Sequence, residues 1–311
     1  MFSRNRFRVT LLVSLVLCLG VLSSCGNGDD APQPGVFTWS VQHQPEGGDD
    51  LWGVSALDAT HVWSVGHGGT ILFYDGTSWN PQASGTTDTL RDVSALDATH
   101  VWSVGSGGTI LFYDGTSWTA QASGTTGTLY GVSALDESHV WAVESGGTIL
   151  FYDGTSWTAQ ESGTTDTLRS VSALDESHVW AVGAGGTILF YDGTSWTAQE
   201  SGTTDTFWGV SALDESHVWA VGKNGTILFY DGISWTAQES GTTEVLYGGV
   251  SALNENHVWA AGDGGTILFY DGISWTAQES GTTDTLYGVS AVDESHVWAV
   301  GHGEIILFGT K

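Results

Sequence analysis

The sequence contains little cysteine, little proline and few basic residues. Its 311 residues include two Cys, four Pro and seven Lys or Arg, against 35 Asp or Glu, so the formal net charge is -28. Two cysteines are too few for a disulfide-stapled fold or a cysteine-rich zinc site. Four prolines without a three-residue glycine period exclude a collagen-like chain. Because a surface this acidic repels phosphate groups, we expect no nucleic-acid partner.

Motifs typical of catalysis are also missing. The chain has no G-x-S-x-G nucleophile elbow, no H-E-x-x-H zinc helix and no phosphate-binding loop. The segment D-G-T-S-W resembles the Asp-box of sialidases, but it is one residue shorter, and sialidases hold their substrate with three arginines. Only Arg91 and Arg169 remain beyond the first eight residues. We therefore predict a protein that is not an enzyme, with no catalytic residues, no cofactor and no metal.

The N-terminal segment, residues 1–24, has the features of an export signal. Three arginines precede an apolar run over residues 9–22, which is short for a transmembrane helix. The run ends in L-S-S-C, which resembles the lipobox of bacterial lipoproteins. That resemblance implies cleavage before Cys25 and attachment of lipid to its thiol. Residues 25–35, rich in Gly, Asp and Pro, are then expected to form a flexible tether; an ordinary secretory signal with a free cysteine is the alternative.

These features predict an exported protein that is anchored by lipid in the bacterial cell envelope. Gly26, rather than an aspartate, follows the lipid-bearing cysteine, which favours the outer membrane by analogy with bacterial sorting. We expect the lipid to be the sole contact with the membrane, and we expect a monomer.

A unit of about 39 residues dominates the rest of the chain. Its copies begin at Val54, Val93, Val132, Val171, Val210, Val250 and Val289. Each copy contains short runs rich in Val, Ile, Trp, Tyr and Thr, separated by Asp, Gly and Ser, and this pattern indicates four antiparallel strands joined by hairpin turns. Four strands in about 40 residues is the period of a propeller blade. We predict an all-β, seven-bladed β-propeller over residues 36–311.

The two ends of the repeat region predict how the ring closes. The last unit stops after three strand-like runs, and residues 36–42 have the pattern of the missing fourth strand, with Trp39 in the place of Trp79. We expect this N-terminal strand to complete the seventh blade and close the ring. An open solenoid is the alternative, and it would need polar caps at both ends.

Other residues recur in every unit, and we interpret them as structural. Tryptophans that follow His-Val are predicted to fill the space between sheets; a sugar-stacking platform is the alternative. Recurring carboxylates are predicted to cap backbone amides in turns. One histidine of a D-x-x-H turn recurs per unit, and a ring of such residues is too wide to hold one metal ion. Closure would bring His67 and His302 together, with too few further ligands for a metal.

Two positions differ between otherwise similar units. The first is the residue entering the first strand: Trp52, Arg91, Tyr130, Arg169, Trp208, Tyr247 and Tyr287. The second is the turn between strands two and three: His67, Ser106, Ser145, Ala184, Lys223, Asp263 and His302. Both positions fall at one end of an antiparallel blade. Five aromatics and two arginines around one mouth are typical of binding hot spots, so we predict that they contact a protein partner; drift at exposed turns is the alternative.

The run H-V-W-A-V-G-x-x-G-T-I-L-F-Y-D-G-x-S-W resembles the blades of the photosystem II assembly and stability factor family, and is similar to other bacterial propeller-repeat lipoproteins. The resemblance implies a non-enzymatic chaperone or scaffold that docks a membrane-protein partner. That family is known for an arginine-rich patch, whereas this chain offers Arg91 and Arg169. The predicted function is a lipid-anchored binding or scaffold propeller. A multivalent, lectin-like carbohydrate-binding propeller is the first alternative, and a hydrolase or lyase with a funnel site is the second.

Overall fold

Seven four-stranded antiparallel sheets make up the fold in a computed structural model, which describes residues 37–247 and 249–311. The predicted signal peptide, the lipid site Cys25 and the tether lie outside the described residues. Among the residues that are described, no helix combines the length and the apolarity needed to span a membrane.

In six blades the strands follow one another in sequence from the inside of the ring to the outside, and in the seventh blade the N-terminal strand β1 is the outermost. The innermost strands are β2 (Leu51–Asp58), β6 (Leu90–Asp97), β10 (Leu129–Asp136), β14 (Leu168–Asp175), β18 (Phe207–Asp214), β22 (Gly249–Asn254) and β26 (Leu286–Asp293). The second strands are β3 (His61–Gly66), β7 (His100–Gly105), β11 (His139–Glu144), β15 (His178–Gly183), β19 (His217–Gly222), β23 (His257–Ala261) and β27 (His296–Gly301). The third strands are β4 (Ile71–Tyr74), β8 (Ile110–Tyr113), β12 (Ile149–Tyr152), β16 (Ile188–Tyr191), β20 (Ile227–Tyr230), β24 (Ile267–Tyr270) and β28 (Ile306–Thr310). The outermost strands are β5 (Trp79–Pro81), β9 (Trp118–Gln121), β13 (Trp157–Gln160), β17 (Trp196–Gln199), β21 (Trp235–Gln238), β25 (Trp275–Gln278) and β1 (Thr38–His43).

Short 3₁₀ turns join the second and third strands in six blades. They cover His67–Gly69, Ser106–Gly108, Ala184–Gly186, Lys223–Gly225, Asp263–Gly265 and His302–Glu304. In the first six blades the third and fourth strands are joined by Asp-Gly turns, in which the glycine takes a positive φ, +87° at Gly193. Asp192 then accepts hydrogen bonds from the backbone amides of Thr194 and Ser195 at 2.8 and 2.9 Å. The repeated carboxylates therefore cap turns, as the sequence predicts.

Ring closure follows the prediction. β1 pairs antiparallel with β28, and Trp39 lies opposite Gly309 in that pair, as Trp79 lies opposite Tyr74 in the first blade. The innermost strand β2 also packs against β26, so the first and last blades are neighbours. The predicted seven-bladed, closed propeller is confirmed, and the open solenoid is excluded.

Hydrophobic cores lie between neighbouring blades. One cluster joins Trp141 and Val143 of the third blade to Val171 and Val179 of the fourth. The tryptophans of the second strands are at most 3% exposed: Trp63, Trp102, Trp141, Trp180, Trp219, Trp259 and Trp298. Rings this deeply buried pack the sheets together and are inaccessible to a sugar, so the stacking-platform alternative is excluded for these seven residues.

A ring of serine hydroxyls joins the innermost strands to one another. In each V-S-A sequence the serine accepts a hydrogen bond from the alanine amide of the next blade, at 3.0 or 3.1 Å. The serines are Ser55, Ser94, Ser133, Ser172, Ser211, Ser251 and Ser290. The last of them bonds Ala56 of the first blade, which closes the ring. These bonds satisfy amides at the inner sheet edges, where no further strand is available to pair.

Candidate functional site

One end of the propeller contains a cavity of about 330 Å³ between the entrances of the innermost strands. Its lining includes all seven residues predicted from the variable first-strand position: Trp52, Arg91, Tyr130, Arg169, Trp208, Tyr247 and Tyr287. We call these seven side chains the mouth ring. The structure therefore brings the predicted residues together, and their contact with a partner stays a prediction.

A β-bulge in six of the seven innermost strands places the mouth-ring side chain. In six blades the pairing between the first and second strands shifts register at this residue. The residue just before it is fully buried between the blades, as at Leu129 and Phe207. Because a bulge leaves one residue out of the pairing and redirects it, Tyr130 and Trp208 reach the cavity while their neighbours hold the strand in the core.

One side of the mouth ring, the arginine arc, alternates cations with aromatic rings. The guanidinium carbon of Arg91 lies 4.4 Å from the ring centroid of Trp52 and 5.9 Å from that of Tyr130. That of Arg169 lies 4.3 Å from the centroid of Tyr130 and 4.4 Å from that of Trp208. Each guanidinium therefore lies between two rings at cation–π distance, which fixes both arginines in place.

The remaining side of the mouth ring, the aromatic arc, consists of rings alone. Trp208 and Tyr247 have centroids 5.1 Å apart, and Tyr247 and Tyr287 have centroids 5.8 Å apart, both edge to face. Tyr287 stacks on Trp52 at 4.3 Å. The mouth ring is thus a closed chain of contacts in which each side chain is held by two neighbours, at distances favourable for aromatic pairs.

The two arginines of the mouth ring have no carboxylate partner. Within residues 37–247 and 249–311, no Asp or Glu oxygen lies within 4.0 Å of either guanidinium. Burial lowers the pKa of Arg91, and the nearby charge of Arg169 lowers it further, while Tyr130 acts in the opposite direction. An arginine stays charged at any physiological pH, so this end of an acidic protein presents two uncompensated cations.

Asp92 and Ser170 also line the cavity, and neither is among the site residues predicted from the sequence. In the other five blades a glycine follows the mouth-ring residue. The presence of Asp or Ser in its place is the sequence feature from which these two residues could have been predicted. Asp92 accepts hydrogen bonds from the amides of Val93 and Val132 at 2.8 and 2.9 Å. Burial nevertheless raises the pKa of its carboxyl group to about 7. Asp92 is therefore a carboxyl group that gains and loses its proton near neutral pH.

Turns of the D-x-x-H type lie at the opposite end of the blades. In the fourth blade, Asp175 accepts from the amide of Ser177 at 2.8 Å and lies 2.9 Å from Nδ1 of His178. Three sets of Asp, His and Glu place their ligand atoms within 4.8 Å of one another: Asp136, His139 and Glu176; Asp175, His178 and Glu215; and Asp214, His217 and Glu255. These sets could hold a divalent cation, but each is at the protein surface and its histidine already bonds an aspartate.

The two histidines that closure was expected to bring together lie at the seam between the seventh and first blades. Nδ1 of His302 lies 2.7 Å from Asp50, and Nδ1 of His67 lies 3.6 Å from Asp49. Each histidine thus lies beside a different aspartate of the segment that precedes β2.

Comparisons with known proteins agree with this architecture. The family model described as the Tectonin domain matches residues 50–207. The solved structure of YCF48 bound to D1 peptide is 20% identical to this chain, covers 88% of it and 97% of its own chain, and has a TM-score of 0.72. YCF48 from Cyanidioschyzon merolae is 20% identical, with coverage of 87% and 98% and a TM-score of 0.71. The WD40 β-propeller domain of Doa1 is 14% identical, with coverage of 88% and 97% and a TM-score of 0.73.

These identities show a shared fold, and the predicted resemblance to photosystem II assembly factors is confirmed at that level. No curated protein matches the sequence. The Tectonin match begins just before β2 and ends at the start of β18, so it spans four complete blades and just over half of the sequence. The chain therefore belongs to the Tectonin domain family.

Proposed function

We propose that this propeller is a non-enzymatic binding module that docks a segment of a protein partner on the mouth ring. The observation that supports the proposal most directly is that the mouth-ring position differs between repeat units, whereas most other positions are nearly identical in all of them. Seven different copies of one strand position supply five aromatics and two arginines to a single cavity, and aromatic residues and arginine are the types enriched at interface hot spots. The structure of YCF48 bound to D1 peptide supports the proposal, because it shows that a protein of the same fold can bind a peptide.

The chemistry of the cavity supports binding over catalysis. Its one lining carboxyl group, Asp92, and its one lining serine, Ser170, both accept hydrogen bonds from backbone amides of the next blade, Val132 and Val210. These bonds hold the inner strands together. The cavity lining therefore offers no nucleophile hydrogen-bonded to a base, which acyl-transfer enzymes need.

Replacing Trp208 and Arg169 with Ala is expected to abolish capture of the partner. The change removes the contact between the arginine arc and the aromatic arc, and truncating such anchors costs about 2 kcal/mol or more each. The measurement is crosslinking and pull-down from the native membrane fraction. The control replaces Ile233 and Ile273, each 87% exposed in turns at the opposite end, with Ala, and it should retain capture. Loss of capture in the control together with retention in the mouth variant would place the docking site at the other end.

The lectin alternative rests on grooves that occur at equivalent positions in different repeat units. Equivalent grooves lie beside Gly265 in the sixth blade and Gly186 in the fourth, lined by Gly, Thr, Gln, Glu and Ser. Neither groove has an aromatic side chain in its lining, and sugar sites commonly use such a ring as a stacking surface. A glycan array separates the two functions, because saturable binding of several sugars per chain would favour the lectin.

We also propose that lipid on Cys25 anchors the protein in the bacterial envelope, with the outer membrane as its location. Support comes from the L-S-S-C sequence after an apolar run, and each buried methylene of the lipid contributes about 0.8 kcal/mol to membrane binding. In a Cys25→Ser variant the protein is expected to leave the membrane fraction and appear in the soluble fraction on cell fractionation. A variant that still sediments with membranes would count against the anchor.

A further inference from the structure

The mouth ring also indicates the chemistry of the group that it binds. Resting on the proposed docking function, we infer that the partner segment presents a carboxylate, and that the guanidinium groups of Arg91 and Arg169 bind it at the arginine arc. The remainder of the segment then packs on the aromatic arc.

The first observation is the distribution of positive charge. Outside the first eight residues, the sequence has four basic residues, Arg91, Arg169, Lys223 and Lys311, against 35 acidic ones. Both lysines are exposed, whereas both arginines are half-buried in the cavity wall. Within the described residues, no carboxylate oxygen of this acidic chain lies within 4.0 Å of either guanidinium, as described above. Removing a cation from water without a counterion is unfavourable, so the site is complete only when an anion arrives from outside.

The second observation is a set of hydrogen-bond donors without acceptors. Nε of Arg91, Nε of Arg169 and Nε1 of Trp52 are buried and make no hydrogen bond in the part of the chain that is described. All three groups can only donate. Buried donors in proteins nearly always have an acceptor. A carboxylate offers two oxygens that accept several hydrogen bonds, and it matches the planar fork of a guanidinium.

The third observation is that the two cations share one aromatic ring. Arg91 and Arg169 lie on either side of Tyr130, with their guanidinium carbons 5.9 and 4.3 Å from its ring centroid. The positive charge of Arg169 contributes to lowering the pKa of Arg91. A negative group between or above them relieves their mutual repulsion. Asp92 also lines the cavity, and its ionised form repels a ligand with two negative charges more strongly than a ligand with one. A carboxylate is therefore favoured over a phosphate dianion.

The probes are three capped dipeptides that differ in one group each, titrated by calorimetry against the whole mature protein. N-acetyl-Phe-Glu-amide presents a side-chain carboxylate, N-acetyl-Phe-Gln-amide is its neutral isostere, and N-acetyl-Phe-Gln with a free C-terminus presents a terminal carboxylate. We expect one of the acidic peptides to bind about tenfold more tightly than the neutral one, since hydrogen bonds between charged groups are about twice as strong as neutral ones. The stronger of the two identifies whether the carboxylate belongs to a side chain or to a chain end.

Variants assign that preference to the two arginines. Replacing Arg91 and Arg169 with Gln should reduce the preference for the acidic peptide to less than about twofold. Replacing both arginines with Lys should keep part of the preference for the acidic peptide, because the positive charge remains while the planar fork of the guanidinium is lost. This variant also tests the proposal if the Gln variant fails to fold. Lys223→Gln, which removes a cation outside the mouth ring, should leave the preference unchanged.

Three outcomes would overturn the carboxylate assignment. They are equal binding of the three peptides, no binding of any peptide in the millimolar range, and a preference that survives in the Gln variant. Equal binding that disappears in Trp208→Ala would leave the docking function in place and remove the carboxylate. Unchanged capture of the partner by the variant with Ala at Trp208 and Arg169 would contradict docking on the mouth ring itself.

Discussion

Replacing Gly127 with Asp should lower the free energy of unfolding by about 3 kcal/mol, and adding Glu144→Gly should restore most of that loss. The third blade differs from the others at these two positions together. Its loop has Gly127 where the second, fourth and fifth blades have Asp88, Asp166 and Asp205. Its second strand ends in Glu144, where the other blades have glycine.

The two exchanges compensate each other in space. In the second blade the carboxylate of Asp88 accepts a hydrogen bond from the hydroxyl of Thr109 at 2.8 Å. In the third blade the carboxylate comes from Glu144, which is 7% exposed and accepts from the hydroxyl of Thr125 at 3.0 Å. A Cβ atom at Gly127 would lie only 1.6 Å from an oxygen of Glu144. The glycine is therefore what gives this carboxylate room.

Chemical denaturation of the two single variants and the double variant tests this coupling. The Asp side chain at position 127 alone would force a second carboxylate into an occupied, buried space, whereas the double variant reproduces the arrangement of the second blade. The interaction energy of the cycle should therefore be about 2 to 3 kcal/mol. A matched control, Gly163→Ala, lies in the same loop of the next blade with no atom within 4 Å of the added Cβ, so it should show only the cost of its positive φ. Simple additivity of the two single changes would contradict the compensation.

Replacing Asp92 with Ser should stabilise the protein at pH 8 by about 2 kcal/mol, and this gain should disappear as the pH falls to about 4. The pKa of Asp92 is raised from 3.8 to about 7 in the folded protein, so the folded state binds the proton more tightly than the unfolded state. Stability is then highest when the group is protonated in both states, and it declines as the pH rises from about 4 to about 7. A shift of about three units corresponds to about 4 kcal/mol, and partial exposure of the carboxylate reduces this to about 2 kcal/mol.

Serine is the right replacement because the protein already uses it at the same position. In the fourth blade Ser170 accepts from the amide of Val210 at 3.3 Å, as Asp92 accepts from that of Val132. The measurement is the melting temperature of both proteins between pH 4 and pH 8. A difference that does not change with pH, or a wild type that is the more stable protein at pH 8, would show that burial does not hold the proton on Asp92.

Asp97 provides a control of opposite sign in the same blade. Burial by itself would raise its pKa, but hydrogen bonds from Thr99 and His100 outweigh burial and lower the pKa to about 2. A carboxylate with a lowered pKa contributes stability that is present above its unfolded value of 3.8 and is lost as the pH falls towards 2. Asp97→Asn should therefore destabilise the protein above pH 5, and this effect should shrink as the pH falls from about 4 towards 2.

Local physics explains why the repeat was enough to predict the blades. Turns such as Asp192-Gly193 are specified by a glycine at positive φ and by a carboxylate that accepts hydrogen bonds from the amides two and three residues further along the chain, and both effects act within four residues. Closure was predictable as well, because Trp39 repeats the position of Trp79 and marks a strand that only the last blade lacks. The composition of the mouth ring followed from comparing the copies with one another.

Other features of the site depend on distances between blades, and no local pattern specifies them. The cation–π contacts of Arg169 with Tyr130 and Trp208 join three consecutive blades, and they need a bulge whose position became visible only in the strand pairing. The pairing of Glu144 with Gly127 was likewise hidden, because the sequence shows two unrelated exchanges until the fold brings them together.

The amino-acid sequence by itself determined the four-stranded unit, the number of copies and the strand that closes the ring, because hydrophobic periodicity and turn chemistry act over a few residues. Tertiary structure alone decided that the seven mouth-ring side chains contact one another in a closed chain, that no carboxylate oxygen of the described residues lies within 4.0 Å of the two guanidinium groups, and that burial raises the pKa of Asp92 to about 7. Charge, burial and contact depend on what surrounds a group in space, and here those surroundings come from blades about 39 residues apart in the chain.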